Sequence, residues 1–538
     1  MPNGAQRVVS GLFEAGVRVC FANPGTSELH LVAALDDVPG MRRVLCLFEG
    51  VATGAADGYG RMAGEPGCTL LHLGPGLAGG LPNLHNARRA GTPIVNVIGD
   101  HALRHKRLDA PLESDIGALA GTVSAWTRRA FDAADLVGDA AEAVAAAAGP
   151  PRAVATLIVP ADVAWADAGD AVGAPGMPRG VAARGLVSEV EVAGVAAALR
   201  SGAPAALLLG GAATHGPGLR AAARVAAATG ARLLCETFPA RLERGAGLPP
   251  VERLGYRAAD AAALLSGVRH LVLAGASVPV PFFAYPGQDD TVVPGGCEVR
   301  ALGGGGSGDV VAGLSAVADV VGGRGPVSAP PAQEAVRPVV PDGALTGESA
   351  AAVLGALLPE GAVVVDEANT SGIWLPGATA GAPPHDWLTL TGGALGQGLP
   401  LAVGAAVACP GRPVVALVAD GAAMYTPQAL WTLAREGLDV TVVVFSNRAY
   451  AILELEQMML GGAGVGAAGR ELFDLDRPAL DFVALARGMG VDAGRAATVA
   501  EFSALVGRGL REPGPFLVEC VVPAIGRPAR GGPAGTDS

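Results

Sequence analysis

Two apolar runs bracketing one helical pattern, over residues 413–447, constrain the fold more than any other stretch. PVVALVADG ends its apolar run, Val414 to Val418, at Ala419-Asp420-Gly421. AAMYTPQALWTLAREG reads as a helix, and LDVTVVVFSN ends a second run, Val440 to Phe445, at Ser446-Asn447. Strand, helix and strand make a βαβ unit whose two strands run parallel and end on one edge of a sheet. Asp420 and Asn447 then sit side by side at the carboxyl ends of strands, where open α/β sheets bind ligands. One carboxylate and one amide oxygen, with no His or Cys nearby, suit a hard cation such as Mg²⁺ that also holds phosphate oxygens.

The same alternation runs through the chain. Val17 to Ala22, Arg43 to Phe48, Thr69 to Leu73, Pro93 to Ile98 and Arg152 to Val159 read as strands separated by helical patterns. The middle region repeats this at Ala205 to Leu209, Arg232 to Cys235 and His270 to Leu273, and the last third at Ala362 to Asp366, Trp387 to Thr391 and Phe516 to Val522. Two stretches rich in Gly, Ala and Pro, Asp167 to Gly185 and Gly322 to Pro341, carry no apolar period and read as linkers. The expected architecture is α/β: three doubly wound parallel-sheet domains over residues 1–166, 186–322 and 342–526, with a frayed tail from Gly526. A length of 538 residues agrees with about three domains at ~150 residues each.

Composition then excludes whole classes. The formal net charge of −12, with no basic stripe, argues against nucleic acid. No uncharged apolar run approaches the ~20 residues of a membrane span. Arg7 and Glu14 interrupt the first helical pattern, which does not read as a signal peptide. Seven scattered cysteines without a CxxC pair read as reduced thiols, and the expected location is cytoplasmic.

Several polar residues stand where chemistry is expected. Glu49 follows an apolar strand and opens a helix of small residues, so poor solvation would raise its pKa; the bland alternative is a first-turn acid stabilised by the helix dipole. Gly421 and Ala422 fall where helix-start N–H groups receive anionic oxygens, and Asn369 and Thr370 are placed to do the same after the strand ending at Asp366, or simply to cap a helix. His72 ends a strand beside Gly74-Pro75-Gly76, a position for an active-site residue, although a lone strand histidine is more often core. Asp100 and His101 either bind substrate or belong to a surface loop, and His85 reads as structural. The glycine-dense loop at Gly303 to Gly308 reads as a flexible turn, with nucleotide binding as the weaker alternative.

With these residues in view, the pattern resembles the diphosphate-binding motif of thiamine diphosphate (ThDP) enzymes, written GDG…NN; this chain has ADG and SN. FEGVATGAADGYGR resembles the segment that activates the cofactor in that family, and the turn Asn23-Pro24-Gly25-Thr26 with His72 in LLHLGPG resembles benzoylformate decarboxylase. The whole is most similar to acetolactate synthase large-subunit-like proteins, with benzoylformate decarboxylase next. The resemblance implies ThDP and Mg²⁺ as cofactors. Asp420, Asn447 and the Ala449 carbonyl would ligate the metal; Gly421, Ala422, Asn369 and Thr370 would meet the diphosphate. Gly393, Ala394 and the wedge Leu395, in GALGQGLP, together with Tyr450 and Ala451, would contact the cofactor, and Asn23, Pro24 and Gly25 would cover it. Glu49 would hydrogen-bond the aminopyrimidine, with Thr26, His72 and His101 as further catalytic candidates.

It further implies a homodimer or homotetramer, with Glu49 of one copy meeting Asp420 of another, and a 2-oxo acid as small-molecule partner. The expected reaction is decarboxylation followed by carboligation of the enamine to a second carbonyl. The alternatives are simple decarboxylation to an aldehyde, and, in another class, a catalytically silent ThDP-binding regulatory paralogue, motivated by the ADG and SN departures. FAD in the middle domain stays open without a motif. Relatives that decarboxylate pyruvate carry a Glu in the motif after the NN pair, where this chain has Ile452 and Leu453 with Glu454 one step on; Asp100 replaces the Gln typical of acetolactate synthases.

Overall fold

The computed structural model describes residues 2–169, 185–287, 289–303, 308–322, 331–459 and 465–525. Most of the first linker, parts of the second linker and of the glycine-dense loop, and the tail from Gly526 lie outside the described residues. Three sheets form in chain order. The first contains β1 (Val19–Asn23), β2 (Arg42–Leu45), β3 (Gly67–Leu71), β4 (Ile94–Asp100), β5 (Trp126–Arg129) and β6 (Val154–Pro160). The second and third take their strands from β7 (Ala205–Leu209), β8 (Arg232–Cys235), β9 (Leu242–Arg244), β10 (Glu252–Arg253), β11 (His270–Ala274), β12 (Glu298–Leu302), β13 (Val363–Glu367), β14 (His385–Thr389), β15 (Val414–Ala419), β16 (Val440–Ser446), β17 (Asp492–Ala496) and β18 (Phe516–Val521).

The first sheet runs β2-β1-β3-β4-β6-β5 and the second β10-β8-β7-β11-β12, both with parallel pairings. The third runs β17-β18-β16-β15-β13-β14-β9. It departs from the all-parallel expectation at one edge: β9, from the middle stretch of the chain, pairs antiparallel with β14. The middle region therefore lends a strand to the last sheet.

Strand order sets where ligands can bind. In the first sheet the chain leaves β1 for β2 on one side and then crosses to β3 on the other. In the third it passes from β13 to β14, then back across to β15. Both are topological switch points, where the loops after neighbouring strands diverge and leave a crevice. Asn23 and His72 stand at the first crevice; Glu367 and Asp420 stand at the second.

The glycines and alanines of the helix Glu49–Ala63 explain how the two crevices come to share one body. This helix packs on Gly398–Ala408 of the last sheet, backbone against backbone. A Cβ on Gly58 would overlap the Leu401 carbonyl, and one on Gly404 would overlap the Ala55 carbonyl. One buried apolar cluster spans both domains, including Val51, Ala55, Leu401 and Ala405, and a second joins the central sheet to the last through Leu207, Val364 and Trp387.

Two local expectations shift. Gly74-Pro75-Gly76, which in the sequence reads as a turn ahead of a helix over 77–90, lies within the helix Leu73–Ala90; proline is tolerated in a first turn because its missing N–H has no acceptor there. The strand expected to reach Phe48 ends at Leu45, so Glu49 opens its helix after a short irregular step.

Candidate active site

At the first crevice, β1 ends at Asn23 and the chain turns through Pro24-Gly25 into a short 3₁₀ turn, Thr26–Glu28. Glu28 is fully buried. Its Oε2 accepts from the Gly25 amide at 2.9 Å and contacts His72 Nδ1 at 2.7 Å; its Oε1 accepts from Ser27 Oγ at 2.6 Å. A carboxylate so placed assigns the hydrogen to Nδ1 and leaves Nε2 as the ring's other nitrogen for chemistry. Gly25 has to be glycine here, since a Cβ would overlap the His72 ring, and Gly99 of β4 makes room for the Glu28 carboxylate in the same way. His72 keeps a quarter of its side chain exposed, so the pair is anchored at one end and open at the other.

Glu49 is half-buried rather than sealed. Its carboxylate lies over two glycines of the neighbouring helix: a Cβ on Gly76 would come 3.4 Å from Oε1, and one on Gly79 3.0 Å from Oε2. Thr26, which opens the 3₁₀ turn after β1, is exposed. Asp100 has a structural part. It is buried, ion-paired with Arg129, and its Oδ1 accepts from Lys106 Nζ at 3.1 Å and from the His101 amide at 2.8 Å. His101 stacks obliquely on His105 with ring centres 5.5 Å apart. Among the described residues no hydrogen bond joins His101 to the His72–Glu28 pair.

At the second crevice, Asp420 is buried, with Oδ1 accepting from the Gly421 amide at 2.8 Å and Oδ2 from the Arg448 amide at 2.6 Å. Gly421's amide is thus already engaged by Asp420, whereas Ala422 is the next residue of the same helical turn. Gly421 also leaves space for the Tyr450 ring, 2.5 Å from where a Cβ would sit. Asn447 donates to Ser371 Oγ at 3.1 Å, and its Oδ1 accepts from the Ala449 amide at 2.9 Å. Asn369 and Thr370 open the 3₁₀ turn that contains Ser371, so the loops after β13, β15 and β16 converge. Ala449 and Ala451 are buried next to them.

The turn carrying Gly393, Ala394 and Leu395 is held from both sides. Asn86 donates to the Ala394 carbonyl at 2.8 Å and accepts from its amide at 3.1 Å, while His85 Nε2 lies 3.1 Å from the Gly392 carbonyl. Glu367 accepts from the amides of Gly396 at 2.7 Å, Gln397 at 3.2 Å and Gly398 at 2.7 Å. Burial still pushes Glu367 up to about 7. Leu395 is half-buried against the shared apolar cluster, and Gly393 packs on Phe282.

Backbone strain marks the same places. Among the described residues, four non-glycines adopt positive φ, and three of them, Leu73 (+51°), Asn369 (+50°) and Arg448 (+58°), follow closely after the ends of β3, β13 and β16. Such conformations persist where surrounding contacts over-determine them, which is common at functional sites.

A cation fits the second crevice on electrostatic grounds. Asp420 has two amide partners and, among the described residues, no cationic side chain bonded to it; burial pushes it up to about 6. A buried carboxylate without a counter-charge, beside an amide oxygen and loop carbonyls, is the donor set of a hard divalent ion with phosphate oxygens.

Comparison with known proteins decides the family. Residues 2–119 match the family model described as thiamine pyrophosphate enzyme, N-terminal TPP binding domain, and residues 370–520 match its C-terminal TPP binding domain. A protein of Mycobacterium tuberculosis (strain H37Rv) named "Putative acetolactate synthase large subunit IlvX" is 58% identical over 97% of this chain and 99% of its own length. The chain belongs to the thiamine pyrophosphate enzyme family. Benzoylformate decarboxylase of Pseudomonas aeruginosa is 30% identical over 94% of the chain and 96% of its own length. Among solved structures, a Rhodococcus jostii RHA1 thiamine diphosphate-dependent 4-hydroxybenzoylformate decarboxylase superposes with a TM-score of 0.82 at 25% identity, covering 97% of this chain and 99% of that one. Benzoylformate decarboxylase from Polynucleobacter necessarius shares the fold, with a TM-score of 0.85 at 22% identity over 98% of this chain and all of that one. The two matched regions of this thiamine pyrophosphate enzyme carry the first crevice and the second, one each.

Proposed function

We propose that this enzyme decarboxylates a 2-oxo acid with ThDP and Mg²⁺ and releases an aldehyde after a proton is delivered from His72. The observation that carries this reading is the buried Glu28 locked onto His72 beside the Asn23-Pro24-Gly25 turn. When bound, ThDP supplies a carbon nucleophile for the substrate carbonyl and an electron sink for the pair left as CO₂ departs. Asp420, Asn447 and the Ala449 carbonyl would hold the cation, and Ala422, Asn369 and Thr370 would take the diphosphate. Leu395, on the turn that Glu367 and Asn86 fix, would support the cofactor. Glu49 would hold a proton for its aminopyrimidine. Ile452, half-buried, and Leu453, exposed in the single chain, would keep water from the reacting carbon once a second copy covers them. Glu28 orients His72 through Nδ1–H, and the ring, once it also carries a proton on Nε2, would donate that second proton to the reacting carbon and return to the Nδ1–H form.

Among the described residues no hydrogen bond or ion pair joins the Glu49–His72 group to the Asp420–Asn447 group within one chain. A homodimer in which each copy completes the other's site is part of the proposal. A panel of aryl, branched and short 2-oxo acids, assayed with ThDP and Mg²⁺ and with or without an aldehyde acceptor, tests it. Free aldehyde supports the reading, and no product from any acid ends it. His72→Phe is expected to lower aldehyde release by about 10²-fold and to raise the share of acyloin when acceptor is present.

Carboligation to a second carbonyl is the other reading, and the specific observation in its favour is the 58% identity to the relative named for acetolactate synthase. Acyloin or a 2-hydroxy-oxo acid as main product in the same assay would select it.

The cation has its own pH signature. Burial places Asp420 at about 6, above the ordinary carboxylate value. A raised folded-state value means the stability contribution of protonated Asp420 is complete below about pH 4 and is lost as pH rises through 6. The cation takes the ionised form, so stabilisation by Mg²⁺ with ThDP should be full at pH 7.5. Below 6 the apparent affinity should fall about tenfold per pH unit. Thermal melts with and without the pair at pH 5 and 7.5 check this; equal shifts at both would remove Asp420 as a ligand.

A further inference from the structure

Where β9 leaves the central region to join the last sheet, the chain forms a partly open cavity of about 210 Å³, lined in part by four prolines, Trp387 and Gln333. Arg244 and Arg253 both line it. The Arg244 guanidinium stacks 5.1 Å from the Trp387 ring centre and donates to the Pro376 carbonyl. Arg253, half-buried on β10, has no hydrogen-bond or ion-pair partner among the described residues. The one acid in the lining, Glu243, is already engaged: Oε1 pairs with Arg241 at 3.0 Å and Oε2 accepts from the Gly216 amide at 2.7 Å. Behind the wall, the buried Asp366 accepts from the Trp387 indole N–H at 3.1 Å and from the Ala368 amide at 3.2 Å. Two guanidinium groups therefore line one partly open cavity without a carboxylate bonded to either; the buried Asp366 acts on both through space. Burial, with the neighbouring Arg253 guanidinium, pulls Arg244 down to about 10, while the buried Asp366 acts in the opposite direction from behind the wall.

The geometry points to a binding site for a small dianion, a dicarboxylate or a phosphate, held between the Arg244 and Arg253 guanidinium groups at the junction of the central and last domains. Planar guanidinium forks match carboxylate and phosphate oxygens in pairs, and both gain strength where water is partly excluded. Because the cavity walls come from both domains, an occupant would also tie them together and raise the melting temperature by mass action.

The test uses the full-length protein without added cofactor and reads binding rather than turnover, so its outcome is separate from the proposed reaction. Succinate and inorganic phosphate are titrated by calorimetry at constant ionic strength, with sodium chloride as control, and Trp fluorescence is followed in parallel. Saturable binding of either anion, weakened at least tenfold in Arg253→Gln with an unchanged unliganded melting temperature, supports the site. Binding of succinate alone identifies a carboxylate ligand, and of phosphate alone a phosphate ligand. No saturable binding of either anion, or binding by Arg253→Gln equal to wild type, overturns it. Should Arg253→Gln melt early, Gln333→Glu, which adds a negative charge to the rim, must weaken binding instead; unchanged affinity there also overturns the proposal.

Discussion

Glu49→Gln is expected to lower turnover of any accepted 2-oxo acid by about 10²–10⁴-fold, the usual range for loss of a general acid–base group, while the protein stays folded. The position argues for a proton-holding role and against a packing one. The carboxylate is half-exposed, stands over Gly76 and Gly79, and makes no hydrogen bond to another side chain among the described residues. Glutamine keeps the shape and the neighbours and removes the ionisable proton. Nothing in the helix Glu49–Ala63 depends on the charge, because its small-residue face, not its first turn, meets Gly398–Ala408. The measurement is kcat with ThDP affinity and circular dichroism recorded alongside. Wild-type turnover in the variant would show that the proton is held elsewhere, and Asp420 and His72 would then need new partners. A collapse of ThDP affinity with unchanged kcat at saturation would assign Glu49 to binding alone.

The parts of this site that were legible in the sequence share one property: each ends an apolar run. Asp420, Asn447, His72 and the Asn23–Glu28 turn lie where Val-, Leu- and Ala-rich strands stop, and strand ends of a parallel sheet face one way. What stayed hidden depends on distant partners. Glu28 reads as an ordinary acid after Thr26-Ser27; its burial requires the bare Gly99 of β4 and the ring of His72 after β3, which no local pattern encodes. Glu367 sits one residue past the expected strand end, and its purpose appears once Gly396, Gln397 and Gly398 are seen donating to it. The strands β9 (Leu-Glu-Arg) and β17 (Asp-Ala-Gly-Arg-Ala) were not expected because they occupy the outer positions of their sheet and carry no apolar run. Polar residues are tolerated there, so hydropathy has little to report. Likewise Asp100 and His101 looked alike by position; three-dimensional contacts separate an ion-paired carboxylate from its neighbour.

Arg61→Met is expected to cost about 3–5 kcal/mol of stability, the cost of leaving one member of a buried pair behind. Arg61 and Asp57 lie one turn apart on the Glu49 helix, with side chains 1% and 0% exposed. Arg61 Nε and Nη2 donate to the two Asp57 oxygens at 2.8 and 2.7 Å. The same guanidinium reaches the Ala240 carbonyl of the central region at 3.2 Å, the Thr389 carbonyl at 2.8 Å and Thr391 Oγ1 at 3.0 Å. Asp57 in turn accepts from Thr92 Oγ1 at 2.6 Å and from Gln397 Nε2 at 2.7 Å. One guanidinium thus bonds to all three domains, and its partner steadies the turn that presents Leu395. Methionine fills much of the volume but strands a buried carboxylate and three acceptors. Removing both charges, in Arg61→Met with Asp57→Leu, should recover part of the loss, since an apolar pair of similar volume avoids the desolvation of two ions. Multi-domain chains do not unfold in a single step by default, so the readout is the lowest-temperature transition and the urea midpoint by two probes. A shift below about 1 kcal/mol in the single variant would mean water reaches the pair and screens it. A double variant worse than the single would mean that the hydrogen bonds from Thr92 and Gln397 to Asp57, rather than the ion pair, join the domains. In either case ThDP affinity should follow the stability of the Leu395 turn, because Gln397 loses its Asp57 contact in the double variant and keeps it in the single.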